Sequence, residues 1–285
     1  MSLEAAEQIA NMMVMAPYPG FEGRSFKMPC RNVLPKPTQK PHPPMWMACT
    51  NRDTIKIAAS HGVGALAFSF LDEAEARTWS SIYYDIIKSE HCIPLGHSVN
   101  ANIAMVSAFS VHADAAEAQR RGQEGFEFFR YAISALVSND TVPGRSRLFE
   151  QFQNERASGA LAATQPAAES LASAFQRSRG IGTPAEFRDH VRSFEAAGID
   201  QIILLQQAGR NQHAHICDSL ELLAREVLGE FAAKRAERDR HKAEALAPFI
   251  AQALARKRRM PPLADADIPV VRASVARPVV NQAAG

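Results

Sequence analysis

The sequence predicts an α/β protein built on a small parallel sheet, and three observations carry that prediction. Short apolar runs recur at 45–49, 65–70, 99–109 and 201–205, with the length and composition of strands buried on both faces. Stretches with helical periodicity separate them. Glycines and helix-capping residues stand at the junctions, the signature of strand–helix–strand crossovers.

Each element can be justified in order. A helix is expected from Ser2 to about Ala16, with Leu3, Ile9, Met12, Met13 and Ala16 on its apolar side. Pro17-Tyr18-Pro19-Gly20 stops it. Residues 21–44 carry six prolines, which exclude a helix or a central strand and predict an extended surface connection. Met45-Trp46-Met47-Ala48-Cys49 is the first strand, and Thr50 or Asn51 caps a helix running to His61 and closed by Gly62. The second strand, 65–70, is followed by a helix capped by Asp72 and running to about Ser89. After the third strand, Asp114 opens a helix to about Val137.

Residues 139–180 have little strand signal and predict an insertion with loose helix. Thr183 with Pro184 behind it opens a helix to Ala197, ended by Gly198. After the last strand, Asn211 is expected to cap a closing helix to Phe231. A charged helical extension, 232–259, and a proline-bearing tail, 260–285, expected to be disordered, complete the chain.

Bulk composition narrows the function classes. With 46% hydrophobic and 22% charged residues in 285, the chain is an ordinary globular protein. Its net charge of +2 selects no partner. Nine Lys/Arg against three Asp/Glu between Ala232 and Met260 concentrate the basic excess near the C-terminus. Four scattered cysteines form no CxxC pair, which argues for reduced thiols in a cytoplasmic protein. No apolar run reaches the ~18 residues that span a bilayer.

Several motifs together resemble one family. Arg31-Asn32-Val33-Leu34-Pro35-Lys36-Pro37-Thr38-Gln39-Lys40-Pro41-His42-Pro43-Pro44 precedes Ala48-Cys49-Thr50-Asn51-Arg52-Asp53-Thr54, then Ala58-Ala59 and Gly62. Gly182-Thr183-Pro184 follows, then Leu205-Gln206-Gln207-Ala208-Gly209 and the stretch from Ser219 to Val227. In this order they resemble the second half of bacterial-luciferase-like, flavin-dependent monooxygenases, over residues 1–231.

The resemblance implies a partial TIM (β/α)8 barrel, with four parallel strands and their helices plus the C-terminal helical extension. It implies that four further strands would precede Met1. On that expectation the chain is either a truncated product or one half of a split barrel. The cofactor implied is flavin mononucleotide (FMN) or a deazaflavin. Reduced flavin and dioxygen would oxygenate a small organic substrate, with a flavin reductase as partner. The alternative is an inactive half barrel that associates through its open strand edges, with itself or with a sister subunit.

The sharpest candidate site is Asn51, Arg52 and Thr54. A helix N-terminus offers unpaired N–H groups to a phosphate. By resemblance, Thr54 supplies a hydroxyl to the flavin phosphate and Asn51 stands where the family has a serine. Asp53 departs from the pattern and would repel a phosphate if it faced inward. Residues at strand C-terminal ends carry the chemistry in such barrels. That places Phe68, Ser69, Phe70, Gln206 and Gln207 near the flavin ring or substrate. No catalytic residue can be assigned.

His213, His215 and Cys217 read as a helix surface rather than a metal site, because i and i+2 point to different faces. Glu90-His91-Cys92 lacks a group to orient a catalytic histidine. Arg256–Arg259 read as a solvated helix end rather than a nucleic-acid contact.

Overall fold

The computed structural model describes residues 2–68, 71–138, 145–162, 180–206 and 208–270. They fall into two compact units: residues 1–43, 95–97 and 258–285 in one, and 44–94 and 98–257 in the other.

The smaller unit opens with α1, Ser2–Val14. The helix stops short of the expected Ala16, although the Met15 N–H still donates to the Asn11 carbonyl. Lys36 Nζ donates to the Met12 and Met15 carbonyls and so satisfies the helix end. The proline-rich connection contains one element that composition hid. A short hairpin pairs β1, Phe21–Glu22, with β2, Lys27–Met28.

A buried polar chain holds this unit together. Tyr18 Oη donates to Gln8 Oε1 (2.9 Å), Asn11 Nδ2 reaches the same oxygen, and Asn11 Oδ1 meets His97 Nε2 (2.9 Å). The His97 N–H donates to His42 Nε2 (2.9 Å).

The larger unit begins with β3, Trp46–Cys49, and α2, Arg52–Ser60. Then come β4, Gly64–Ala67, and α3, Glu73–Ile87, whose N-cap is Asp72 as expected. The third strand run is shorter than its apolar stretch: β5 spans Ile103–Ala108, with β6, Ser110–Val111, split from it. The residues expected to start it are occupied instead. Asn100 Nδ2 donates to the Met45 carbonyl, and Asn102 Nδ2 to Asn100 Oδ1.

Next follow α4, Ala115–Ser138, close to the helix expected from Asp114 to about Val137, and α5, Leu148–Ser158, a regular helix within the stretch read from composition as loose. A two-residue strand missed in the sequence, β7, Ile181–Gly182, pairs in parallel with β6. It precedes α6, Pro184–Ala196, which starts at a Thr183–Glu186 capping box. The last strand is β8, Gln201–Leu205.

The closing helix corrects one expectation. Its N-cap is Gln212, and α7 spans His213–Leu223. Asn211 instead donates its side-chain amide to the Gln206 carbonyl (2.6 Å) and braces the preceding loop. After α7 the chain continues through a π-helical turn, Ala224–Leu228, straight into α8, Gly229–Arg256.

The strands form a parallel sheet in the order β3-β4-β5-β8, with registers such as Ala48↔Leu66, Ala67↔Met105 and Val106↔Ile203. This is the α/β fold with four parallel strands and flanking helices that the sequence predicts. Strand alternation separates two faces. On one, Ser107 Oγ bonds His190 Nε2 of α6 (2.8 Å), and Leu204 packs with Phe187, Leu223 and Val227 of α6, α7 and the π turn. On the other, Val106, Ala108 and Leu205 meet Phe126 and Phe129 of α4. Central β5 is buried at every position, whereas β3 and β8 at the edges are partly exposed.

No helix among the described residues is long and apolar enough to cross a membrane. Of the tail at 260–285, residues 271–285 lie outside the described residues.

Candidate functional site

The carboxyl ends of the strands gather the residues of interest. At the end of β3 the chain turns into α2, with Asn51 as N-cap in an extended conformation. Asn51 Oδ1 accepts from the Thr54 N–H (3.0 Å). Thr54 Oγ1 accepts from the Thr50 and Asn51 N–H groups (3.2 and 3.3 Å) and donates to the Asn51 carbonyl (2.8 Å). This is a reciprocal capping box. It leaves the N–H groups of Arg52 and Asp53, in the first turn of α2, without an intrahelical acceptor.

The charged neighbours are already paired. Arg52 Nε and Nη2 form a two-pronged bond to Glu75 (2.8 and 2.6 Å), and Trp79 Nε1 donates to the same carboxylate. Those bonds raise the Arg52 pKa and hold the Glu75 carboxyl below its usual value. Asp53 pairs with Lys56 (2.9 Å) on an exposed surface, so its charge is partly balanced beside the helix start. Beneath the turn, Cys49 is fully buried and donates to the Thr54 carbonyl. Burial pushes its thiol pKa up to about 11, so it stays a neutral packing residue at neutral pH.

The remaining predicted residues divide. Ser69, Phe70 and Gln207 lie outside the described residues. Phe68 is 37% exposed and stacks edge-on against Phe129 of α4 at 6.0 Å. Gln206 is half-buried at the end of β8, and its carbonyl accepts from the Ala208 N–H and Asn211 Nδ2. Gly125 of α4 presses against this loop, where a Cβ would collide with Asn211 Oδ1 and the Ala208 carbonyl.

Two contributors escaped the sequence reading, Glu75 and Phe129. Asp72 with Glu75 three residues later looks like a capping pair. The Glu75 N–H does bond Asp72 Oδ1 (2.8 Å), but its carboxylate serves Arg52.

The sites set aside on sequence grounds have structural settings. His213 Nε2 lies 3.5 Å from Cys217 Sγ, and no group of three His, Cys, Asp or Glu that could hold a metal occurs among the described residues. Arg256, read as part of a solvated helix end, is half-buried and donates to the Ser89 and Cys92 carbonyls, satisfying the end of α3.

This combination of parallel strands, crossover helices and a capped turn at the strand carboxyl ends defines an α/β class of protein built on a four-stranded parallel sheet. The family model for luciferase-like monooxygenases matches residues 3–201, and the chain belongs to that family. Among solved structures, it is similar to the monooxygenase RslO1 from Streptomyces bottropensis. That match has 19% identity and a TM-score of 0.54, over 80% of this chain and 60% of that one. It is also similar to the coenzyme F420 dependent tetrahydromethanopterin reductase from Methanopyrus kandleri. Here the identity is 15% and the TM-score 0.52, over 80% of this chain and 62% of that one. The chain therefore spans somewhat under two thirds of the length of these two structures. No curated protein matches it.

Proposed function

We propose that the start of α2 holds the phosphate of FMN or a deazaflavin, in a protein whose reaction is flavin-dependent oxygenation of a small organic substrate. The observation that carries this reading is the pair of N–H groups, of Arg52 and Asp53, left without an intrahelical acceptor at the helix start where the resemblance puts the flavin phosphate. The residues present fit a phosphate. The amides and the helix dipole supply donors and partial positive charge. Thr54 Oγ1 can turn its proton outward from the Asn51 carbonyl, and Arg52 keeps Nη1 outside its bonds to Glu75.

The flavin, when bound, supplies the redox chemistry. The chain's own contribution is to bind and orient. Asn51 fixes the turn, Thr54 and Arg52 hold the phosphate, and Phe68, Ser69, Phe70, Gln206 and Gln207 border the ring or substrate. A flavin reductase would supply the reduced cofactor from outside the chain.

Fluorescence titration with FMN and with riboflavin tests the phosphate reading directly. FMN should bind at least about tenfold tighter than riboflavin, a difference of ~1.4 kcal/mol. Thr54→Ala should erase most of that preference. Equal affinity for the two, or no binding of FMN, a deazaflavin or riboflavin at about 100 μM, well above usual cofactor requirements, would overturn it.

A second reading is a catalytically inactive half barrel. The commitment of Arg52 to Glu75 favours it, because a phosphate must compete with a carboxylate already in place.

A further inference from the structure

We propose that Gly125 of α4 and Asn211 are positioning residues for the flavin ring, and that together they set where Gln206 stands at the carboxyl end of β8. This role rests on the reading of the strand carboxyl ends as the border of the ring, and not on the phosphate position at α2.

Gly125 lies inside a 24-residue helix. A glycine there weakens a helix relative to alanine, because it has more backbone freedom to lose. What its bare Cα admits is the loop after β8. A Cβ at position 125 would collide with Asn211 Oδ1 and stand 2.6 Å from the Ala208 carbonyl oxygen. That oxygen belongs to the main chain, so a side chain at 125 must displace the loop itself. The loop meets the helix with a glycine of its own. Gly209 has φ +59°, in the left-handed region that favours glycine. A Cβ on it would lie 3.3 Å from the Gly125 Cα and 3.5 Å from the Phe128 ring. Helix and loop therefore touch backbone to backbone.

The bonds within the loop carry that contact to β8. Asn211 Nδ2 donates to the Gln206 carbonyl (2.6 Å), and the Ala208 N–H donates to the same oxygen (3.0 Å). The Asn211 N–H donates to the Ala208 carbonyl (3.3 Å). The two oxygens that Gly125 faces thus belong to the residues that fix Gln206. A second tie comes from α5. Arg210 stacks over the Phe149 ring at 4.5 Å, and Phe149 packs edge-on against Phe128 of α4 at 4.9 Å.

The same face of α4 reaches the neighbouring candidate. Phe129 stands one turn beyond Gly125, on the same side of the helix. It packs edge-on against Phe68 at the end of β4, at 6.0 Å. One helix face therefore spaces Phe68 and Gln206, and a rigid helix holds such a spacing more closely than the loops alone could.

Fluorescence titration of the full chain with riboflavin and with FMN tests the assignment. Gly125→Ala should weaken both ligands by the same factor, about threefold to tenfold, the worth of one hydrogen bond. The ratio of FMN to riboflavin affinity should keep its wild-type value, whereas Thr54→Ala should act through FMN alone. Asn211→Ala removes the bond to Gln206 without adding bulk and should give the same signature, which keeps the test open if Gly125→Ala folds poorly. The visible absorption bands of bound flavin report the hydrogen bonding around the ring and should shift in both variants. Gly229→Ala, where an added Cβ meets nothing within 4 Å, should change neither affinity nor spectrum.

A merely structural contact would lower urea stability and leave the folded protein's riboflavin affinity and flavin spectrum as in wild type. That result in either variant overturns the proposal. So does an altered ratio, which would place the loop at the phosphate instead of the ring. Equal wild-type affinity for the two flavins, with both weakened in the variants, would sink the phosphate reading and leave the positioning role standing. A wild-type chain that binds neither flavin overturns both.

Discussion

The two ends of the parallel sheet are built differently. At the amino ends, side chains tie every strand to its neighbours. Asn100 reaches the Met45 carbonyl before β3, and Tyr83 Oη donates to the Val63 and Asn100 carbonyls before β4 and β5. Tyr84 Oη donates to the Ala101 carbonyl and Asp200 Oδ2, which also accepts the Ile103 N–H. Lys242 of α8 crosses to Asp200 Oδ1 (2.6 Å) and Asn102 Oδ1 (2.7 Å). At the carboxyl ends most bonds are local, within the α2 capping box and the loop after β8, with the Arg52–Glu75 pair spanning twenty-three residues between α2 and α3, and Phe68 stands partly in solvent. In barrels of this type the amino end serves stability and the carboxyl end chemistry. The difference teaches that substitutions at the two ends should fail in different assays.

The largest effect should come from cutting the amino-end clasp. Asp200→Ala strips the partner from Lys242, whose side chain is 28% exposed, and from the Ile103 N–H and Tyr84 Oη. Removing one member of such a partly exposed, hydrogen-bonded charged pair costs about 1.5–3 kcal/mol. Urea unfolding should show that loss. A change below about 1 kcal/mol, the level of an ordinary surface substitution, would mean the clasp is not structural.

Alkaline pH probes the same end more gently. Burial, reinforced by the Asp200 charge, raises the Tyr83 and Tyr84 pKa values well above the usual 10.0. The unfolded chain therefore loses these protons first. The stability they contribute is fully present below pH 10 and falls as pH rises toward the folded values. Each tyrosine contributes a slope of up to ~1.4 kcal/mol per pH unit there. Between pH 9 and 11 wild type should lose stability more steeply than Tyr84→Phe. Parallel profiles would show that Tyr84 is not shielded.

At the other end, Asn51→Ala should cost only about 1 kcal/mol, the usual value of an N-cap. Its larger consequence should be in FMN titrations, since the first turn of α2 is the proposed phosphate holder. A variant that loses stability and keeps its preference for FMN over riboflavin would separate the cap from the site.

How much of this was legible in the sequence follows from whether the signal is local. Asp72 and Thr183 were read as caps, and the α2 cap was narrowed to Thr50 or Asn51, because a cap is decided within four residues. The four sheet strands were read because uninterrupted apolar runs stand out. Ile181–Gly182 was missed because a two-residue strand has no periodicity and exists through β6, about seventy residues earlier. Asn211 was misplaced because its local pattern suits a cap, while a carbonyl five residues back claims its amide. The amino-end clasp could not be read at all. Asp200 and Lys242 are forty-two residues apart, and Tyr84 is a further 116 residues from Asp200. At the candidate site the helix start was visible, but the Arg52–Glu75 pair across twenty-three residues was not.

That pair sets the smallest and most discriminating prediction. Arg52 is the cation nearest the proposed phosphate position, and Glu75 occupies two of its donors. The Arg52 hydrogen bonds hold the Glu75 carboxyl below its usual 4.5, so it is ionised wherever flavin binding would be measured. A phosphate and Glu75 are then rivals for one guanidinium. Glu75→Gln removes the rival's charge and should tighten FMN binding by about twofold to fivefold, within the ~1 kcal/mol range of exposed ion pairs. Riboflavin affinity should not change. Arg52→Ala should weaken FMN by a similar factor and also leave riboflavin unchanged. If Glu75→Gln weakens FMN instead, the carboxylate is orienting Arg52 toward the phosphate. The carboxyl-end turn would then be a preassembled site, as tightly organised for its ligand as the amino end is for its fold.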